Sequence, residues 1–203
     1  MADQAVAGKT RPADVRAALI TAAAELIEAM PESEVSLRAC ARRAGVSHAA
    51  PAHYFPTRAD LMAACLAQAF EDLNARMAAA RDAAPADPFE RLKAIGLAYV
   101  AFALERPATY AMMFQPGYQG GAQGEMAQAG ARCGNILTEA VAATHRPDQV
   151  DEQTGVALAW INVHGFVSLL AGGMIGWGDE GPTAQDMAER LLSLLRPAFS
   201  RDR

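Results

Sequence analysis

The sequence predicts an all-α protein built from about nine helices. Apolar residues make up 52% of the 203 residues, and they recur three and four positions apart, which is the spacing of one helix face. Alanine, the strongest helix former, is abundant, whereas β-branched residues are few. We expect a three-helix N-terminal domain over residues 1–60 and a larger helical domain over residues 61–203.

The first helix is expected from near Pro12 to near Met30, because its apolar residues share one face. Residues 1–10 are polar and are interpreted as a short arm before it. Lys9 and Arg11 are placed to contact DNA phosphates or the minor groove. A solvated tail is the alternative.

Residues 36–58 have the pattern of a helix-turn-helix. Ser36 is a natural N-cap for a helix over Leu37–Ala44, and Gly45 can take the positive φ that a tight exit requires. Ser47 then caps a second helix over His48–Phe55, which Pro56 stops. The segment holds four arginines and no acidic residue, although the whole chain has a net charge of −5. A basic face on an acidic body directs DNA to one side.

The run A-R-R-A-G-V-S-H-A-A-P-A-H-Y-F-P-T-R-A-D-L resembles the TetR family of bacterial transcriptional regulators. The resemblance implies a DNA-binding head, a C-terminal domain for effector binding, and a cytoplasmic homodimer joined through its last two helices. The chain departs from the family at Pro51, Ala52 and His53, where a bulky apolar residue and aromatic residues are usual.

The predicted DNA contacts fall into two groups. The small residues at the tip of the second helix suit contacts to base edges, and these are Ser47, His48, Ala49 and Ala50. The residues better suited to phosphates are Ser36, Arg38, Arg42, Arg43, Tyr54 and Arg58. His53 points to DNA or packs under Tyr54, and the sequence favours neither.

Helical spacing continues through the C-terminal domain. Breaks at proline, glycine and small polar residues delimit helices over Leu61–Ala80, Phe89–Glu105, Ala108–Phe114, Met126–Thr144 and Asp148–Ala171, and a last helix that starts at Thr183 and extends to Phe199. The segment Gln115–Gly124 is interpreted as a loop. The helix over Asp148–Ala171 is apolar nearly all round, so its own domain and a second subunit are both expected to cover it. Such a dimer requires a roughly palindromic operator.

The second predicted site is an effector pocket. Trp160 and His164 are four residues apart on one helix face, and they resemble the Trp, His-Gly signature of one TetR subgroup. An apolar wall with one polar handle is typical of a ligand site. The aromatic and methionine residues ahead of the loop join this candidate set: Tyr99, Phe102, Tyr110, Met112, Met113, Phe114 and Tyr118. Ordinary core packing is the alternative for each of them, and the better one for Phe102.

Several classes of protein are not expected. Three widely spaced cysteines argue against a disulfide framework and a metal site. No nucleophile stands with a histidine and no phosphate loop is present, so neither a cofactor nor catalysis is predicted. No signal peptide is evident, and no apolar run is judged long enough to span a membrane.

The predicted function is a DNA-binding regulator, most simply a repressor that a small, mainly apolar ligand releases from its operator. Two alternatives stay open. One is a helical ligand-binding or enzymatic protein that no longer reads DNA, which Pro51 and Ala52 favour. The other is a regulator controlled by a protein partner.

Overall fold

The computed structural model describes residues 12–115, 124–178 and 181–200, and these residues are helical with no strand among them. The α-helices are α1 (Pro12–Ala29), α2 (Leu37–Arg43), α3 (Arg58–Ala83), α4 (Pro88–Glu105), α5 (Pro107–Met113), α6 (Glu125–Ala142), α7 (Glu152–Ala171), α8 (Ala184–Ser193) and α9 (Arg196–Phe199). Two short 3₁₀ helices cover Glu32–Glu34 and Pro51–His53. The all-α prediction is confirmed. Lys9, Arg11, Tyr118 and most of the predicted loop lie outside the described residues.

The chain divides into two compact units, unit 1 over Met1–Leu66 and unit 2 over Ala67–Arg203. The division falls inside α3 rather than in a linker, so one continuous helix belongs to both units. The helix begins with a reciprocal cap. Asp60 Oδ2 accepts from the Thr57 backbone N–H at 2.8 Å, and Thr57 Oγ1 accepts from the Asp60 backbone N–H at 3.2 Å.

The first half of the helix-turn-helix in unit 1 forms as predicted. Ser36 Oγ accepts from the Ala39 backbone N–H at 3.1 Å, which satisfies one free donor at the start of α2. Gly45 has φ of +68°, the left-handed conformation that glycine adopts without strain. Ala41 is fully buried where α2 packs against α1.

The second helix of the motif differs from the prediction. In place of an α-helix over His48–Phe55, turns lead into one 3₁₀ turn at Pro51–His53. Pro51 has no N–H to donate to the Ser47 carbonyl, which instead accepts from the Ala50 N–H at 3.0 Å, a tighter three-residue step. The prediction of an α-helix over His48–Phe55 is therefore wrong.

Unit 2 is organised around α4, which packs against α5, α6, α7 and α8. Its N-cap is Asp87, whose Oδ1 accepts from the Glu90 backbone N–H at 2.9 Å. The following long helices are α6 and α7, which pack on each other. Helix α7 begins at Glu152, later than predicted, because Asp151 caps it by accepting from the Thr154 N–H at 2.6 Å.

The predicted last helix is interrupted. Thr183 and Asp186 form the expected capping box at the start of α8. Helix α8 ends at Ser193, and the four-residue α9 follows from Arg196 to Phe199. Pro197 explains the break, because it has no N–H with which to bond the Ser193 carbonyl.

Helix α7 leaves part of its apolar surface uncovered. Trp160, Ile161 and Leu169 are exposed by 47%, 67% and 42%. By length and composition alone α7 is apolar enough to cross a membrane, so the expectation that no apolar stretch is long enough to do so is wrong. A core helix passes the same test. Helix α7 packs against α4, α6 and α8 within unit 2.

Candidate functional site

Unit 1 leaves most of the residues predicted to contact DNA accessible. The exposed members are Ser36, Arg38, Arg42, Arg43, Ser47, His48, Ala49 and His53, whereas Ala50 and Tyr54 are half-buried. The absence of acidic residues between positions 36 and 58 leaves this surface basic. It therefore has the accessibility and the charge that contact with a phosphate backbone needs.

Two of the four arginines are bound within unit 1. The Arg43 Nε lies 2.5 Å from Glu25 Oε2 on α1. The Arg58 guanidinium donates to the Val35 carbonyl at 2.6 Å and to the Glu32 carbonyl at 2.7 Å, and it lies 3.2 Å from the Glu32 carboxylate. Arg58 thus fastens the segment before α2 to the start of α3. Its phosphate contact, which the resemblance implied, stays a prediction.

The tight turn after α2 is anchored by its apolar residues. Pro51 is buried and Phe55 is 2% exposed. The Arg16 guanidinium lies over the Phe55 ring, 5.6 Å from its centroid. These contacts hold the loop from Ser47 to Ala50 on the outside of unit 1. Pro51 and Phe55 therefore have a structural role, and Ser47, His48 and Ala49, which precede them, are exposed.

A cavity of about 600 Å³ lies within unit 2. Helices α3 to α9 all contribute to its wall. The lining includes Phe70 and Met77 of α3 and Phe199 of α9. Its volume is within the range of sites that hold small organic molecules, and its wall is almost wholly apolar.

Only some of the nine residues predicted to contact a ligand line the cavity. Four of them line the cavity: Tyr99, Met113, Phe114 and Trp160. Phe102 is fully buried elsewhere, with Arg76 and Arg106 over its ring at 5.5 and 5.6 Å, which supports the core interpretation. Met112 is buried outside the lining, and Tyr118 lies outside the described residues.

Tyr110 and His164 stand directly behind the cavity wall in a hydrogen-bonded cluster. His164 Nδ1 lies 2.7 Å from the Tyr110 hydroxyl and 2.9 Å from that of Tyr99, and the two hydroxyls are 3.1 Å apart. The Trp160 and Phe114 rings flank the imidazole at centroid distances of 5.6 and 4.8 Å. His164 thus orients the Tyr99 side chain that reaches the cavity.

Burial keeps this cluster neutral. Removal from water lowers the pKa of His164 and raises the pKa of Tyr110 to about 12. The pKa of Tyr99 is raised above its ordinary value, first by burial and then by the neighbouring Tyr110. A neutral imidazole can accept at Nδ1, so either phenol can donate to it.

Sequence reasoning missed most of the cavity wall. The residues of α6 that line it are Met126, Ala127, Gly130, Ala131, Cys133, Gly134, Leu137 and Thr138. A signal was present, because small residues recur on one side of α6 and leave space beside it. The contributions of Phe70, Leu192 and Phe199 had no local signal, since these residues are far apart in the chain.

Comparisons with known proteins place both parts of the chain in one family. Residues 19–65 match the model described as bacterial regulatory proteins, tetR family, and residues 92–195 match the model described as tetracyclin repressor-like, C-terminal domain. No curated protein matches the sequence.

Solved structures share the fold along nearly the whole chain. A protein of unknown function from Rhodococcus sp. RHA1 is 27% identical, with a TM-score of 0.77, over 98% of this chain and 100% of that one. A TetR transcriptional regulator from the same organism is 20% identical, with a TM-score of 0.59, over 90% and 96%. AibR, solved in complex with isovaleryl coenzyme A and operator DNA, is 18% identical, with a TM-score of 0.65, over 91% and 100%.

Proposed function

The chain belongs to the TetR family of bacterial regulatory proteins and is a DNA-binding transcriptional regulator, and we propose that it is a repressor released from its operator by a small, mainly apolar ligand. The observation that carries the proposal is the pairing of a basic, accessible helix-turn-helix in unit 1 with an apolar cavity of about 600 Å³ in unit 2. We assign it no catalytic activity and place it in the cytoplasm, where operator DNA is found.

Contacts to DNA are assigned to the exposed residues of unit 1. Ser47, His48 and Ala49, which are exposed, and the half-buried Ala50 are assigned to base edges. Arg38 and Arg42 bind phosphates, and Arg43 does so if it exchanges Glu25 for DNA. Arg58 acts instead as a positioning residue, because its guanidinium already holds two backbone carbonyls.

A homodimer is supported by the uncovered apolar surface of the last helices. Trp160, Ile161 and Leu169 of α7 are exposed together with Leu191 of α8 and Leu194 beyond it. Burial of such a surface against a second copy would stabilise a two-fold dimer. Two heads would then read half-sites about 34 Å apart, or a multiple of it, in a roughly palindromic operator.

Helix α3 offers a physical route from ligand to DNA. Phe70 and Met77 of α3 line the cavity, and the same helix begins at Arg58 within unit 1. A ligand that displaces these side chains would tilt α3 and change the spacing of the heads. For a near-complete reversal of occupancy it must favour the released state by about 5.5 kcal/mol.

Fluorescence anisotropy of the full-length protein with DNA from upstream of its own gene tests the proposal. At near-physiological salt and with excess random DNA, we expect binding that survives the competitor at two protomers, or a multiple, per site. Apolar compounds that raise the melting temperature should then release the DNA. Operator binding that no stabilising compound reverses would contradict ligand release and favour control by a protein partner.

One observation favours a second candidate, a helical ligand-binding protein that no longer reads DNA. The recognition segment contains a single 3₁₀ turn at Pro51–His53 rather than an α-helix. The variant Pro51→Ala separates the two candidates, because it restores the N–H that an α-helix needs. Sequence-specific binding by the variant alone would support the second candidate, and binding by the unaltered protein would exclude it.

A further inference from the structure

The charge on the cavity wall is already compensated. Lys93 of α4 is the one cation among the described lining residues, and its side chain is only 18% exposed. Its ammonium lies 3.0 Å from Glu90 Oε2 and 4.0 Å from Glu189 Oε1. The Glu90 carboxylate also binds Arg196, which lies 3.7 Å from Asp87. Two cations therefore face three carboxylates, and no net positive charge is left for an anionic ligand.

The other titratable groups at the wall are neutral. Burial raises the pKa of the Cys133 thiol to about 11, and it keeps Tyr99 a phenol. His164, behind Tyr99, has a lowered pKa because it is removed from water. An anionic head group that entered this cavity would lose its hydration without gaining an unpaired counter-charge, which is costly. A cationic head group would lose its hydration as well, and no carboxylate stands among the described lining residues to pair with it.

The cavity is long as well as apolar. Its lining on α6 extends from Met126 to Thr138, which at about 1.5 Å per residue is roughly 18 Å of helix. If each non-hydrogen atom takes the ~30 Å³ of a liquid water molecule, the cavity holds roughly 20 such atoms. An extended chain or a fused ring system fits these dimensions.

Thr138 offers a polar contact near one end of this lining. Thr138 is a lining residue, and among the hydrogen bonds of the described residues none involves its hydroxyl. A hydroxyl both donates and accepts, so it can pair with an alcohol or a carbonyl group. The Tyr99 hydroxyl differs, since it is already shared with Tyr110 and His164.

Resting on the effector role proposed above, we infer that the ligand of this cavity is an uncharged, elongated apolar molecule with a hydroxyl or carbonyl group. Carboxylates, amines and coenzyme A esters are disfavoured by their charge. The inferred ligand therefore differs in charge from isovaleryl coenzyme A, with which AibR was solved.

Three probes that differ only in the head group test the inference: decan-1-ol, decanoate and decylamine. At about pH 8 the second is an anion and the third is a cation. Binding to the full-length protein is followed by tryptophan emission, because Trp160, one of its two tryptophans, lines the cavity. We expect decan-1-ol to bind at least about tenfold more tightly than either ion.

The variant Glu90→Gln sharpens the test, because it removes the carboxylate that neutralises Lys93. We expect decanoate to bind the variant about tenfold more tightly than it binds the unaltered protein, with decan-1-ol unchanged. Glu189→Gln is the matched control, since that carboxylate lies 4.0 Å away and is 60% exposed. It should alter decanoate binding much less.

Several outcomes overturn the inference: equal or tighter binding of either ion to the unaltered protein, no binding of decan-1-ol, or no gain for decanoate in Glu90→Gln. Operator anisotropy, measured separately on the same samples, reports on the effector role. Decan-1-ol that binds without releasing DNA would contradict that role and leave the ligand class standing. Decanoate that binds best and releases DNA would support the effector role and contradict the uncharged ligand class.

Discussion

The two units of this protein differ in how their sites are encoded. The helix-turn-helix segment proposed to contact DNA in unit 1 is one continuous stretch of 23 residues, Ser36–Arg58. The cavity of unit 2 is lined by residues from Phe70 to Phe199, on helices that meet only after folding. The first depends on caps and turns, and the second on long-range packing. Each therefore fails in its own way when it is altered.

The largest expected effect is the separate unfolding of unit 1 in Phe55→Ala. Phe55 is 2% exposed beneath Arg16, and loss of a buried phenylalanine costs about 3–5 kcal/mol. Both tryptophans, Trp160 and Trp177, lie in unit 2. We expect circular dichroism to report an early partial melting step, with the transition in tryptophan emission little changed.

Ala59→Ser serves as the control for this variant, because position 59 is exposed on the first turn of α3. It should melt like the unaltered protein by both methods. If circular dichroism and tryptophan emission shifted together in Phe55→Ala, the two units would unfold as one, and the contrast between them would not hold.

A second prediction separates two arginines of the same basic segment. Arg58→Ala leaves the carbonyls of Val35 and Glu32 without their charged donor, so we expect a loss of about 1.5–3 kcal/mol in stability for each bond that water does not replace. Arg42→Ala, at an exposed position, should leave the melting temperature unchanged and flatten the salt dependence of DNA binding by about one unit of slope. Urea titration and anisotropy at several salt concentrations measure the two effects. An unchanged urea midpoint in Arg58→Ala would contradict the positioning role of Arg58, and its contact with phosphate would become the better interpretation.

The same contrast explains what the sequence could predict. The Ser36 cap, the Gly45 turn and the capping box at Thr183 are local, and all three form as expected. The prediction of an α-helix over His48–Phe55 is wrong, because Pro51 cannot donate to the Ser47 carbonyl, which accepts from the Ala50 N–H instead. The prediction of Trp160 as a cavity residue agrees with its place in the wall.

The sequence did not predict features that depend on contacts between distant parts of the chain. Phe199 lines the cavity by stacking on Phe89, 110 positions earlier in the chain, with ring centroids 6.4 Å apart. The hydrogen bonds that join His164 to Tyr99 and Tyr110 likewise link α7 to α4 and α5. No periodicity encodes which helices become neighbours, so single-sequence reasoning could identify the candidate residues but not their assembly.

Two glycines of unit 2 give a third prediction, which only the assembled helices explain. A Cβ at Gly130 would lie 3.7 Å from the Phe70 ring, an ordinary contact, whereas a Cβ at Gly96 would lie 3.0 Å from Leu192 and 3.2 Å from Val163. Gly130→Ala should therefore gain up to about 1 kcal/mol from helix propensity. Gly96→Ala should lose part or all of that gain to crowding. Urea midpoints compare the two variants. Equal stabilisation in both would contradict the crowding, because it would show that the Leu192 and Val163 side chains move aside without loss of stability.

The smallest expected effect concerns the neutral His164. Because burial lowers its pKa, the unfolded chain binds a proton more readily than the folded one as the pH falls below about 6.5. The stabilising contribution of a neutral His164 is therefore present above that pH and is lost as the pH falls toward the lowered pKa of the folded state.

His164→Gln keeps a side chain that can accept a hydrogen bond but removes the titration, so its melting temperature should fall less than that of the unaltered protein on acidification. His145→Gln is the control, since it makes the same chemical change at an exposed position outside the cluster. Parallel melting curves for all three proteins would mean that the Tyr99 and Tyr110 hydroxyls accommodate a charged imidazole, and the cluster would then differ from the rest of the apolar cavity wall.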